Sequence, residues 1–205
     1  MFTNQNNNKK HLYFMNLALL QAHRSLGNTK RSPSVGCVIT RNNNMIAAGT
    51  TGLKGVPHAE FNALKFCKQN LKNSNLYSTL EPCSHYGKTP PCVKAIAKSK
   101  VKNVFFSIND PDTRSYDKCK NYLSKKKINV KQGLFKEKVK IFYKSYIKYK
   151  ENTLPFITCK IALSKDFFTI NKKSKFITNI YSRGRVHLMR SYHDCIITSS
   201  KTIIK

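Results

Sequence analysis

The run Leu76-Tyr77-Ser78-Thr79-Leu80-Glu81-Pro82-Cys83, continued through Ser84-His85-Tyr86-Gly87-Lys88-Thr89-Pro90-Pro91 to Cys92-Val93-Lys94-Ala95-Ile96-Ala97-Lys98, decides the fold. It reads as a short strand, a loop full of breakers, and a short helix that opens on a cysteine. Upstream, Pro57-His58-Ala59-Glu60 opens a helix predicted over 59–71, and Val35 to Thr40 with Met45 to Thr50 make a hairpin around Arg41-Asn42-Asn43-Asn44. Further back, Leu12, Met15, Leu19, Ala22 and Leu26 recur at helical spacing, which predicts a helix over 11–26; residues 1–10, rich in Asn and Lys, read as a disordered tail. Downstream lie a strand (101–108), a helix (116–126), a strand (128–131) and a long helix (136–149). Strands alternating with helices predict an α/β domain over residues 11–150, with a mixed, mostly parallel sheet covered on both faces. Residues 150–154 read as a linker. The segment 151–205 reads as the start of a second α/β unit, with strands at 156–163 and 195–199, a hairpin region at 166–176 and a helix at 182–191.

The chemistry sits at the element ends. His58, Cys83 and Cys92 offer zinc one imidazole and two thiolates, which leaves a fourth position open for water. That is a catalytic arrangement, since a structural zinc takes a fourth protein ligand. Glu60, two residues past His58 on a first helical turn, can face the same mouth without binding metal and can move protons there. The helix N-termini at His58 and Cys92 add N–H groups and a positive dipole end that favour thiolate. His85 stands too near Cys83 for a separate ligand role and reads as a pocket-lining residue.

Composition limits the partners. The chain of 205 residues carries 38 Lys plus Arg against 9 Asp plus Glu, a net charge of +29. Lysine is scattered singly and accompanied by many Asn and Ile, so codon bias accounts for most of the charge; only nonspecific, salt-sensitive nucleic-acid binding is expected from it. No apolar run reaches the roughly 18 residues of a membrane span, and Met1 to Lys10 is no export signal, so the protein is expected in the cytoplasm. Seven cysteines without such a signal read as thiols.

His58-Ala59-Glu60 with Pro82-Cys83 resembles the zinc deaminases of the cytidine deaminase-like fold, a three-layer sandwich. Glu81 through Cys92, with eight residues between the cysteines instead of the usual two, resembles the signature of the bifunctional riboflavin-biosynthesis deaminase/reductase family. Pro33 to Ile39, Asn109-Asp110-Pro111, Lys160-Ile161-Ala162, Phe176-Ile177-Thr178 and the run from Arg183 to Ser200 are similar to that family as well. The resemblance implies one zinc per chain on His58, Cys83 and Cys92, with Glu60 shuttling protons. It implies deamination of 2,5-diamino-6-ribosylamino-4(3H)-pyrimidinone 5′-phosphate, a pyrimidine ribosyl phosphate. It also implies association into a homo-oligomer. Ser32, Thr51, His85, Lys88, Thr89 and Asp110 fall at or near the family's substrate positions, and Lys160 matches a lysine of its reductase site.

Several positions depart from the family. Ser32 stands where Asn is usual, Thr51 where His is usual, and Asp112 to Lys118 replaces a glycine-containing loop. Lys165 and Phe167 break the reductase pattern, and the glycine-rich cofactor loop would lie beyond residue 205. NADPH is therefore not expected to bind this chain, and the reductase step is expected from a separate polypeptide. The altered shell leaves room for a deaminase of another base or nucleoside. A non-catalytic, basic, nucleic-acid-binding zinc protein is the alternative from another class, and Glu60 speaks against it.

Overall fold

Five strands make the centre of the first unit: β1 (Gly36–Arg41), β2 (Asn44–Thr50), β3 (Asn75–Leu80), β4 (Asn103–Ile108) and β5 (Asn129–Gln132), in the order β2-β1-β3-β4-β5. They belong to a computed structural model that describes residues 2–151, 154–169 and 176–200. The β1–β2 and β1–β3 pairs are antiparallel, and the β3–β4 and β4–β5 pairs are parallel. The hairpin thus forms one edge, and β1 alone runs against the other strands.

Seven α-helices, α1 (Phe2–His23), α2 (Ala59–Phe66), α3 (Cys92–Ser99), α4 (Cys119–Ser124), α5 (Lys136–Phe142), α6 (Lys144–Glu151) and α7 (Ile180–Arg190), and a 3-10 turn at Leu53–Gly55 complete the described elements. Alternation along the strands sorts the core into two layers. Val38, Tyr77 and Phe105 pack with Phe14, Met15 and Ala18 of α1. Cys37, Ile39, Leu76, Val104 and Phe106 point the other way, into a cluster with Ala59 and Ala63 of α2 and with Val93 and Ile96 of α3. Close approach is built in at two glycines. A Cβ at Gly36 would collide with the backbone of Ala18 and Ala22, and one at Gly49 with that of Ala59 and Ala63. The second contact seats α2, and so His58 and Glu60, directly on β2.

Some elements differ from the sequence-based expectation. The first helix begins at Phe2, so residues 2–10 of the expected tail belong to it; nothing between Phe2 and His23 is Gly or Pro, and the helix runs back unbroken. The second helix stops at Phe66, where Cys67 turns extended and the Arg41 guanidinium donates to the Asn70 carbonyl (2.7 Å) and the Gln69 Oε1 (2.8 Å). The long helix predicted over 136–149 breaks at Tyr143. That side chain is buried, with its hydroxyl hydrogen-bonded to Thr79 Oγ1 (2.7 Å) and donating to the Ser34 carbonyl (2.9 Å).

The chain divides into a unit Met1–Phe156 and a unit Ile157–Lys205. In the second, Asn179 caps α7 by accepting from the Ser182 N–H (2.8 Å), and the Arg183 guanidinium lies 4.1 Å from the centre of the Phe176 ring. Residues 156–163 and 195–199, expected as strands, belong to no strand or sheet ladder among the described residues. Strand propensity makes a strand only where a partner takes up its N–H and C=O groups. Residues 170–175 of the expected hairpin, and 152–153 of the expected linker, lie outside the described residues.

Candidate active site

The sheet brings the helix openings together. His58 is the N-cap of α2 and Glu60 lies in its first turn; Cys83 follows β3 by three residues; Cys92 is the first residue of α3. His58 Nδ1 stands 3.4 Å from Cys83 Sγ and 3.3 Å from Cys92 Sγ, and the three ligand atoms lie within 4.8 Å of one another. Zinc–nitrogen and zinc–sulfur bonds of about 2.0 and 2.3 Å at a tetrahedral angle put the two donors roughly 3.5 Å apart, so the spacing fits zinc. The Cys92 N–H donates to Cys83 Sγ at 3.2 Å. With the Cys92 thiol and His58 also hydrogen-bonded to it, the Cys83 sulfur is lowered to about 4 and is a ready thiolate. The Cys92 thiol, donating to that thiolate and buried, is pushed well up until a cation displaces its proton. His58 is raised by its hydrogen bond to Cys83, against the opposing effect of burial.

Glu60 is 3% exposed and outside the ligand group. Its Oε1 accepts from the Ser78 hydroxyl at 3.0 Å, a contact that fixes the carboxylate on the inner face of β3. Burial, and then the Cys83 charge, raise its pKa, which suits a group that takes up and releases a proton.

A second carboxylate organises the rim. Glu81 accepts from the N–H groups of Asp110 (3.3 Å) and Asp117 (3.0 Å) through Oε2 and of Cys119 (2.9 Å) through Oε1. It thereby holds the segment from Asp110 to Cys119, and this turn delays α4 to Cys119. Ser115, buried in that segment, bonds His85 Nδ1 at 2.8 Å. His85 therefore sits in the loop between the cysteines but outside the ligand group. Periodicity did not single out Ser78, Glu81 or Ser115 as site-holding residues. The available signals were the adjacent hydroxyls Ser78-Thr79 inside β3 and an acid directly before Pro82-Cys83.

The remaining expected site residues lie as follows. Asp110 is buried, accepts from the Tyr146 hydroxyl (3.0 Å) and is raised by burial. Thr51 is buried and its hydroxyl is used by the scaffold, accepting from the Val35 N–H (2.8 Å) and donating to the Pro33 carbonyl (3.2 Å). Ser32 is half-buried beside Gly55, Lys88 is exposed and Thr89 half-buried in the loop before Cys92, and Lys160 is exposed in the second unit.

Asp112 pairs with Arg114 (2.6 Å) and with Lys150 (2.8 Å) of α6. The Arg114 hydrogen bonds hold its carboxyl well below the usual carboxylate range, with Lys150 adding to the effect. A depressed carboxylate stabilises the fold above its unfolded pKa of about 3.9 and loses that contribution as pH falls below it. Asp112→Asn is therefore expected to lower the melting temperature at pH 6–7, and the gap to the parent should shrink below about pH 4. A gap that is constant with pH would show that the charge plays no part.

The fold and site together define a zinc deaminase of the cytidine deaminase-like class. Residues 8–108 match the family profile of the cytidine and deoxycytidylate deaminase zinc-binding region. Within that class, the chain belongs to the riboflavin-biosynthesis deaminase/reductase family. It is 35% identical to the riboflavin biosynthesis protein RibD of Bacillus amyloliquefaciens, over 93% of this chain and 52% of the relative. It is 37% identical to that of Buchnera aphidicola, over 95% of this chain and 53% of the relative. The solved structure of Acinetobacter baumannii RibD (form 2) superposes with a TM-score of 0.82 at 33% identity, covering 97% of this chain and 56% of that one. The chain thus spans about half the length of the curated relatives it matches. No described helix is long and apolar enough to cross a membrane.

Proposed function

We propose that this chain hydrolyses the 2-amino group from 2,5-diamino-6-ribosylamino-4(3H)-pyrimidinone 5′-phosphate, releasing ammonia and leaving the 5-amino-6-ribosylaminouracil phosphate. The observation that carries the reading is Glu60: a buried carboxylate, braced by Ser78, beside a His58–Cys83–Cys92 donor set that does not need it as a ligand. A solved Thermotoga maritima relative, 33% identical over 90% of this chain with a TM-score of 0.81, bears the name of a diaminohydroxyphosphoribosylaminopyrimidine deaminase and reductase.

His58, Cys83 and Cys92 hold the zinc, which supplies a Lewis acid that brings the pKa of water toward neutrality. Glu60 takes the proton that the attacking water sheds as it adds to C2 of the pyrimidinone, and passes it to a ring nitrogen. A second transfer through Glu60 carries the proton of the new C2 hydroxyl to the exocyclic amine, the C2–N bond breaks, ammonia leaves and a C2 carbonyl forms. His85, held by Ser115, and Lys88, Thr89, Ser32 and Asp110 supply the substrate contacts. The seven free cysteines suit a reducing compartment such as the cytoplasm.

The test is ammonia release from the diaminopyrimidinone phosphate by zinc-loaded protein, with cytidine as competitor. Release from cytidine and none from the diaminopyrimidinone phosphate would reject the substrate while keeping the class. Because His58, Glu60, Cys83 and Cys92 all fall within Met1–Phe156, a chain ending at Phe156 is expected to keep this activity within about twofold. An insoluble or inactive shortened protein would show that the site needs the second unit.

A further inference from the structure

The first unit separates its charges along the strands. The buried carboxylates Glu60, Glu81, Asp110 and Asp112 all stand on the zinc side, at the C-terminal ends of β3 and β4 or on the helix that opens there. The opposite end of the sheet is formed by the connections that lead into β3, β4 and β5. These are stitched side by side: the Lys102 N–H donates to the Ser74 carbonyl (3.0 Å) and the Asn129 N–H to the Lys102 carbonyl (3.1 Å). Side chains repeat the pattern, Asn103 Nδ2 donating to Asn75 Oδ1 (2.7 Å) and Asn129 Nδ2 to Asn103 Oδ1 (3.1 Å).

Each connection carries exposed lysine and no acid. Lys68 and Lys72 lie in the first, Lys100 and Lys102 in the second, and Lys125 to Lys127 in the third. Lys100 and Lys127 occupy left-handed positions (φ 63° and 61°), where glycine or asparagine fits more easily. Both ion pairs among the described residues are made by Asp112, so no described acid pairs with the lysines of this end. The three helix C-termini offset only about half a charge each. An aromatic ring stands among these cations: Phe66, at the end of α2 beside Lys65 and Lys68, is 66% exposed.

We propose that this end is a docking surface for single-stranded nucleic acid, the lysines following the phosphates and Phe66 stacking on a base. Strands about 4.8 Å apart set the three connections as parallel rows of cations at a spacing a flexible polyphosphate can follow. An exposed ring among lysines is the combination that holds unpaired bases without regard to sequence. The surface lies away from the zinc, so binding there leaves the deamination site open.

The experiment measures anisotropy of a labelled single-stranded RNA with the full-length, zinc-loaded protein across a salt series. K72Q/K102Q/K126Q takes one lysine from each connection. K136Q/K140Q/K144Q removes the same charge from α5 and α6. The first variant should weaken binding about tenfold or more and reduce the salt slope by about 2, at roughly 0.7 per phosphate contact. The second should change it less than about threefold. Phe66→Ala should weaken RNA binding with no change in affinity for heparin, a polyanion without bases. Ammonia release should be the same in all three. No measurable RNA binding, equal losses in both lysine variants, an equal effect of Phe66→Ala on RNA and heparin, or stronger binding to phosphatidylserine vesicles than to RNA would overturn the proposal.

Discussion

Glu60→Gln is expected to fold, to hold one zinc per chain, and to release ammonia about 10²–10⁴-fold more slowly than the parent, the range lost when a positioned proton carrier is removed. Gln keeps the size of the side chain and an oxygen to accept from Ser78, so the inner face of β3 remains filled. It also removes a carboxylate whose charged form burial disfavours, so the melting temperature should hold or rise slightly. What is lost is the capacity to take a proton from water and return it to nitrogen. Turnover, metal content and melting curve together check this. Near-parental turnover with full zinc would place the proton carrier elsewhere, and loss of zinc would make Glu60 a supporting residue of the metal group.

Cys92→Ala, and likewise His58→Ala or Cys83→Ala, is expected to lose metal, activity and stability together. The donors stand at the openings of two helices and just past the end of a strand, so a bound ion would tie α2, α3 and β3 together. A ligand present at a hundred times its dissociation constant stabilises the folded state by about 2.7 kcal/mol, which for a chain of this size is a fall on the order of 5–10 °C when it is lost. Elemental analysis and melting curves with and without a chelator check this. The parent should drop to the variant's melting temperature when chelated, while the variant should not respond. A folded parent that contains no zinc would reject the assignment of the site.

Both expectations rest on features that lie close together along the chain. His58-Ala59-Glu60 occupies one helical opening, and the two cysteines bracket one loop. Apolar spacing at 3.6 residues marked the helices and turn residues bounded the short strands, and the alternation of strands with helices implied a sheet covered on both faces. Boundaries fared less well, because they depend on contacts. The second helix ends where Arg41 reaches Gln69 and Asn70, and the long helix breaks to bury the Tyr143 hydroxyl between Thr79 and Ser34.

The sequence by itself picked out the His58, Cys83 and Cys92 group, Glu60 beside it and the alternation of strands and helices, since each is carried by residue type and short spacing. The tertiary structure alone decided that β1 enters the sheet antiparallel between β2 and β3, which brings α2, seated on β2 and β1, within reach of β3. From that follow the Ser78–Glu60 bond across 18 residues, the Glu81–Cys119 bond across 38 and the Ser115–His85 bond across 30. It alone showed Thr51 turned to the scaffold, and lysines collected at one end of the sheet with the buried carboxylates at the other. Such pairings depend on strand order and register, and no local pattern of residues encodes a neighbour that the chain meets only after the sheet has closed.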